Sequence, residues 1–371
     1  MNIAIVGTGQ LARMMAQAGK KLGISCSFLR CAGEDSRPVE GYGNIVTLND
    51  NHDPKQLYHA LGKPSVITVE KESVDIALLK QLKAFCPVYP DPEVIRLTQH
   101  RYLEKQWLNS MGIDTANHAL CNSVDSLINA VTELGYPVFV KSCEEGYDGL
   151  NQWRLKSADD LHQHTEAILQ QESIVEGEVS FHKEVSVIGV RNSNGEFLSY
   201  PVTENQHSNG VLLTSIAPAS CPDSVHQQAH QLIERIMTQS NYVGVLTVEC
   251  FVTDTGLLVN ELAPRVHNSG HWTMDGCATS QFENHLRAIT GLPLGATSQH
   301  KPCAMVNLLG VSPQQVTLAA SGMSCYDYQK TLRPGRKMGH LNLIGDDFQE
   351  ISALTNLQVK AIYMAAEEGA G

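Results

Sequence analysis

The stretch from Val245 to His271 constrains this chain most. It reads Val-Leu-Thr-Val-Glu249-Cys-Phe, then, past Thr-Asp-Thr-Gly, Leu-Leu-Val-Asn260-Glu261, then Leu-Ala-Pro-Arg265-Val-His267-Asn268-Ser269-Gly-His271. Val- and Leu-rich runs bounded by a Gly-containing turn form paired strands, and each run delivers a carboxylate. Two such carboxylates, Glu249 and Glu261, suit Mg2+, a hard cation that takes oxygen ligands and shares them with phosphates. A loop with a fixed guanidinium and imidazoles directly behind them suits anion chemistry. The plain alternative is two strands with solvated glutamates and a polar turn. His267 and His271 stand four apart, but Asn-Ser-Gly between them makes a poor helical zinc site.

The remaining sequence sets bounds. Its 371 residues, 42% hydrophobic and 18% charged, fit a globular chain of two or three structural units. A formal net charge of −12 argues against a nucleic-acid partner. An anionic substrate must then meet local basic residues. No apolar run is long enough to span a membrane, and a strand at the very N-terminus is unlike a signal peptide. Ten scattered cysteines without a C-x-x-C pair read as reduced thiols of a cytoplasmic protein. Cys143 and Cys250 are read as packing thiols.

Periodicity predicts a β-turn-α-β start: a strand over 2–6, a helix over 11–22 and a strand over 24–29. Further strands fall at 43–47 and 66–70, and a helix at 74–84. Asp91-Pro92 opens a helix and marks the end of a first unit near residue 95. A helical stretch over 96–111, a helix over 124–134 and a strand ending at Lys141 follow. Strands over 173–176, 184–190 and 197–202 precede helices over 224–239 and 280–289, then a strand over 304–309. The fold class is α/β, beginning with a parallel sheet.

Gly7-x-Gly9-x-x-Ala12 sits between the first strand and helix. Helix N–H groups there favour phosphate. A nicotinamide dinucleotide would need an acidic residue at the end of the second strand, where Arg30 stands instead. A phosphate of a smaller substrate is the more economical occupant. Lys141 ends a strand, and Gly146-Tyr147-Asp148-Gly149-Leu150-Asn151-Gln152 follows. A lysine beside a glycine loop suits ATP phosphates, although the pattern is not a P-loop; a solvated surface loop is the alternative. Glu176-Gly177-Glu178 then ends another strand.

This order of parts resembles the ATP-grasp superfamily. In detail it resembles the N5-carboxyaminoimidazole ribonucleotide synthetase family of purine biosynthesis. The matching words include Gly7-Thr-Gly-Gln10-Leu, Thr68-Val-Glu70-Lys-Glu72, Arg96-Leu-Thr-Gln99, Gly146-Tyr-Asp-Gly149, residues 260–272 and Arg333-Pro-Gly-Arg336-Lys337-Met-Gly-His340. The resemblance implies an N-terminal Rossmann-like unit (1–95), an ATP-grasp region (96–295) with a lid at about 112–180, a small β-rich C-terminal unit (296–371) and a homodimer. It implies joining bicarbonate to 5-aminoimidazole ribonucleotide through carboxyphosphate, with ATP and Mg2+ as cofactors. Another ATP-grasp carboxylate-amine ligase, or a nicotinamide-dependent dehydrogenase, is the alternative.

By the same resemblance, Glu249 and Glu261 hold the metal, with Asn260 beside them. Arg96, Lys141, residues 146–152, Glu176, Gly177, Glu178, Val179, Glu184 and His207 bind the nucleotide. Arg265 clamps bicarbonate or carboxyphosphate. Tyr147, Asp148, Glu70, His267, Asn268 and Ser269 face the aminoimidazole, with His267 or Asp148 handling the amine proton. Gln10, Arg333, Arg336 and Lys337 hold the ribonucleotide phosphate. The chain departs from the family pattern at Glu144-Glu145 and Leu150-Asn151 in the lid, and at Lys71.

Overall fold

A computed structural model describes residues 1–49, 53–144, 151–318 and 322–368. The chain opens with β1 (Asn2–Val6), α1 (Gln10–Lys21), β2 (Ser25–Arg30), β3 (Gly43–Thr47), α2 (Pro54–Ala60), β4 (Val66–Val69) and α3 (Ile76–Leu82). The four strands form a parallel sheet in the order β3-β2-β1-β4. Ile3, Ile5, Phe28 and Leu29 are fully buried, as a parallel sheet covered on its faces requires. Helix α4 (Pro92–Thr98) starts at Asp91, whose side chain accepts the Glu93 N–H.

The helical stretch expected over 96–111 is two helices. The chain breaks at Gln99-His100, and α5 (Arg101–Ser110) begins anew with the His100 ring accepting the Leu103 N–H. Beyond it, β5 (His118–Cys121), α6 (Val124–Leu134), β6 (Val138–Ser142), β7 (Gln152–Leu155), α7 (Ala158–Ile168) and β8 (Ser173–Gly177) build an antiparallel sheet ordered β5-β8-β6-β7. Ser123 caps α6 in a box with Ser126.

A nine-stranded sheet carries the remainder. It comprises β9 (Lys183–Arg191), β10 (Phe197–Ser199), β11 (Thr203–Ser208), β12 (Val211–Ala217), β13 (Gly244–Thr253), β14 (Gly256–Ala263), β15 (Cys303–Leu309), β16 (Met323–Asp327) and β17 (Lys337–Ile344). Its order is β14-β13-β9-β11-β12-β15-β17-β16, with β10 on β9. The C-terminal strands thus extend the same sheet that bears Glu249, which brings Lys337 at the start of β17 toward it. Helices α8 (Asp223–Gln239), α9 (Thr273–Gly276), α10 (Gln281–Thr290) and α11 (Phe348–Glu368) complete the fold. Trp272, at 0% exposure, packs in the core and donates its indole N–H to Thr203 Oγ1 at 3.1 Å. Among the described residues no helix is long and apolar enough to cross a membrane.

Candidate active site

The β13–β14 register sets Glu249 directly opposite Glu261, with an irregularity between Glu249 and Cys250. Like charges so placed repel. Burial, then the Glu261 charge, push the Glu249 carboxyl up to about 7. Two oxygen donors that disfavour each other fit a divalent hard cation, with phosphate oxygens completing its shell. Glu249 Oε1 lies 3.1 Å from His267 Nε2. On the other side of that ring, Nδ1 receives the Ser269 N–H at 3.3 Å and lies 2.9 Å from Ser269 Oγ. This pattern assigns the neutral ring's proton to Nε2, facing Glu249. Burial and the Arg265 charge hold His267 well below the ordinary histidine range, so it is neutral.

Arg265, 9% exposed, is gripped by Glu72: its Nη2 donates to Oε1 at 3.0 Å and its Nε to Oε2. Burial alone would raise the Glu72 carboxyl, but Arg265 overrides it and holds the group below the usual range. Such a bidentate pair fixes the guanidinium plane. Lys337 contributes positive charge at both Glu249 and His267. On β11, His207 Nδ1 meets Glu184 Oε2 at 2.6 Å. Burial opposes protonation of His207, and the Glu184 bond outweighs it, raising its pKa.

The nucleotide-type residues gather around Glu176. Lys141, paired in register with Gln152 across the β6–β7 hairpin, donates to Glu176 Oε2 at 2.6 Å. Burial would raise the Glu176 carboxyl, but Lys141 and Lys105 pull it down to about 2. Asn151 takes a left-handed φ of 54° where the hairpin returns, a conformation Asn tolerates. Gly177 ends β8 and Val179 is half-buried just beyond it. The Glu178 carboxylate pairs with Arg154 at 2.5 Å. Residues Gly146, Tyr147, Asp148, Gly149 and Leu150 lie outside the described residues, and so do the roles assigned to them.

A cavity of about 350 Å³ is lined by Thr8, Gly9, Glu34, Asp35, Glu70, Lys330, Arg333 and Arg336, among others. The Lys330 ammonium donates to Gln10 Oε1, and burial with the Arg336 charge lowers its pKa to about 8. Arg333 and Arg336 thus line one cavity whose Lys330 reaches the Gln10 turn, while Lys337, expected with them, is not among its lining residues; Lys330 was not foreseen.

Several expectations need correction. The glycine loop does not keep all its N–H groups for a ligand: Glu70 accepts from Gly9 N and, at 2.9 Å, from Ala12 N. The glycines make room for that carboxylate. Gly7 has φ +113°, and a Cβ on Gly9 would lie 2.8 Å from Glu70 Oε1. Glu70 is thus a helix cap that also lines the cavity wall. Asn268 does not face a substrate through its side chain. It trades hydrogen bonds with Asn307 at 3.0 and 2.5 Å, because β15 runs beneath the loop. Ser269, at 0% exposure, props His267 from behind. Arg96 points outward and pairs with Glu93 at 2.8 Å. Five residues on, Arg101 donates to Ser142 O at 3.0 Å, beside Lys141.

Sequence reasoning missed Lys105, Glu72, Lys330 and Arg101 as site residues. Cys143 and Cys250 are buried, and burial pushes the Cys143 thiol up to about 12, so both are packing groups. His100, Cys143 and Glu172 come within ligand reach of one another. However, His100 Nε2 already meets Glu172 at 2.8 Å and Nδ1 accepts from Leu103 N. That arrangement leaves no lone pair for a metal once Nε2 carries its proton.

Three family models match: the ribonucleotide synthetase preATP-grasp domain over residues 1–99, the ATP-grasp domain over 106–282 and the phosphoribosylaminoimidazole carboxylase C-terminal domain over 303–354. The N5-carboxyaminoimidazole ribonucleotide synthase of Vibrio cholerae is 39% identical over 93% of this chain and 91% of its own length. The crystal structure of the Thermus thermophilus synthetase superposes with a TM-score of 0.90 at 34% identity, covering 97% of this chain and 98% of that one. The Aspergillus clavatus synthase, solved with ADP and 5-aminoimidazole ribonucleotide, gives 0.89 at 28% identity, with 98% of each chain covered. With identity of this order running from end to end, the chain belongs to the N5-carboxyaminoimidazole ribonucleotide synthase family of ATP-grasp ligases.

Proposed function

We propose that the chain carries out its family's reaction: ATP-dependent carboxylation of 5-aminoimidazole ribonucleotide by bicarbonate, giving N5-carboxyaminoimidazole ribonucleotide, ADP and phosphate in purine biosynthesis. The observation that carries the residue assignment is the in-register pair Glu249–Glu261 beside neutral His267 and clamped Arg265. Bicarbonate is a poor electrophile, since hydroxide would have to leave. Transfer of the γ-phosphoryl group to a bicarbonate oxygen gives carboxyphosphate and ADP. The amine nitrogen then bonds to the carboxy carbon, the C–O bond to phosphate breaks, and the amine proton passes to the departing phosphate.

Magnesium, held by Glu249 and Glu261, would neutralise charge on the phosphoryl oxygens. Lys141, supported by Glu176, binds the phosphate chain, with Arg101 beside it in place of Arg96. Glu184 and His207 stand beside the Glu249–Glu261 pair. Arg265, fixed by Glu72, stabilises the anionic carbonate species; preorganised charge of this kind is a large catalytic term. His267 offers Nε2–H toward Glu249, and Ser269 holds it there. Arg333, Arg336, Lys337, Lys330 and Gln10 bind the ribonucleotide phosphate. Asp148 remains assigned to the aminoimidazole through the resemblance alone. Ten free thiols support a cytoplasmic setting, and a homodimer is the family expectation that sedimentation would test.

The test is ADP release from ATP and bicarbonate, with and without the ribonucleotide. The expected result is strong stimulation by the ribonucleotide. Release that ignores it, or that responds instead to glycinamide ribonucleotide or biotin, overturns the assignment.

A further inference from the structure

Lys105 is 2% exposed and takes no part in the steps above. Its ammonium lies 3.0 Å from Glu176 Oε1 and donates to the backbone carbonyl of Asn260 at 2.9 Å. The other oxygen of Glu176 accepts from Lys141 at 2.6 Å. One buried carboxylate therefore lies between two ammonium groups, and the trio keeps one net positive charge. Through Lys105 the trio reaches a second wall of the site. Glu176 sits on β8 of the four-stranded sheet. Asn260 sits on β14 of the nine-stranded sheet, one residue before Glu261. The neighbouring Glu104 reinforces the contact by accepting the Leu262 N–H at 3.3 Å.

Burying a lysine is costly unless the charge is matched and bonded. An apolar side chain of similar length would fill the space without that cost. The charge arithmetic supplies a reason for the ammonium. With Lys141 alone, Glu176 would form a neutral pair and hold Lys141 to itself. The second ammonium compensates Glu176 and leaves the charge of Lys141 available to an anion.

We propose that Lys105 is a positioning residue for the nucleotide. It neutralises Glu176 so that Lys141 serves the phosphate chain, and it ties the Glu176 strand to the Asn260–Glu261 strand. The inference deepens the functional reading and rests on the nucleotide role given to Lys141 and Glu176.

The test compares adenosine and ADP binding by calorimetry, with Mg2+, in the full chain. Its variants are Lys105→Met, Lys105→Arg, Lys141→Met and the double Lys105→Met/Glu176→Gln, each checked for folding by circular dichroism. Lys105→Met takes the trio to net zero and should weaken ADP about tenfold or more, as the loss of a charge-assisted contact does, with adenosine far less affected. The KM for ATP should rise while that for the ribonucleotide holds. The double variant restores a net positive charge, so its ADP-to-adenosine affinity ratio should recover. Lys105→Arg should keep most of the ratio.

An unchanged ratio in Lys105→Met overturns the inference. So does an equal loss for both ligands with no recovery in the double variant, which would make Lys105 purely structural. If Lys105→Met does not fold, the double and arginine variants decide by the same ratio. Should Lys141→Met leave the ratio intact, the nucleotide reading itself falls. If Lys141→Met collapses the ratio and Lys105→Met does not, only the role of Lys105 falls.

Discussion

Glu249 and Glu176 are both almost hidden from solvent, with side chains 12% and 6% exposed, and their carboxyls move in opposite directions. Burial raises both. At Glu249 the nearest strong charge is a second carboxylate across the strand pair, so the group rises further, to about 7. At Glu176 two ammonium groups overwhelm burial, and it falls to about 2. Burial sets the stakes and the neighbours set the sign. One region is an anionic pair arranged to receive a cation. The other is a cationic trio arranged to receive an anion. A magnesium–triphosphate complex carries both charges and fits between them.

The largest effect should come from the anionic pair. Glu261→Gln or Glu249→Gln is expected to cut ribonucleotide-stimulated ADP release about a thousandfold or more, because the metal stabilises charge developing in the transferring group. Folding should survive, since either change relieves a like-charge contact. Activity within about tenfold of the parent, at saturating Mg2+, would remove both glutamates from the metal site.

Next comes the cationic trio. Glu176→Gln leaves two lysines without their shared carboxylate, and breaking a buried pair costs about 3–5 kcal/mol, measurable by denaturant unfolding. The pH profiles should diverge as well. The folded pKa of Glu176 lies below the ordinary carboxylate value of 4.5, so its stabilisation is present above about 4.5 and disappears as pH falls toward 2. Glu249 has a raised folded pKa. Without metal, its contribution is full below about 4.5 and is lost as pH rises through 7. Glu176→Gln should therefore flatten the acid limb of stability, and Glu249→Gln the neutral limb. Identical profiles for the two variants would contradict the contrast.

A smaller effect separates the substrates. Lys337→Ala and Arg336→Ala should each raise the ribonucleotide KM about tenfold, a typical loss for one charge-assisted contact, with the ATP KM little changed. Lys337 acts on Glu249 as well as neighbouring the basic run. An equal rise in both KM values for Lys337 would move it to the cationic side of the metal.

The two regions also differ in how far the sequence discloses them. The Glu249–Glu261 strand pair is legible because a single turn at 253–256 joins its strands, so short-range spacing dictates the register. The bounds of β1, β3 and α6 follow equally from local alternation and caps. The trio was only half visible. Lys141 and Glu176 end strands, but Lys105 lies on a helix and meets Asn260 from 155 positions away, and lysine is ordinarily read as exposed. Glu104, Lys105 and Leu108 share one buried stripe of α5, the one local hint that was available. Helix α7 has no bounds legible in the sequence because, of its residues, only Ile168 is buried. The glycine loop hid one contact for a related reason: its glycines make room for Glu70, which enters from another strand.

The smallest effect belongs to Arg96. Its family-like setting pointed to the nucleotide, yet α4 ends at Thr98 and turns it toward Glu93 on the surface. A solvent-exposed pair of this kind contributes little. Arg96→Ala should therefore shift the ATP KM by less than about twofold. Arg101→Ala should raise it several times more, because Arg101 opens α5 four residues before Lys105 and bonds to the strand end beside Lys141. If Arg96→Ala proves the more damaging, the cationic region extends beyond the trio, and the boundary drawn between the two regions at the α4–α5 break is misplaced.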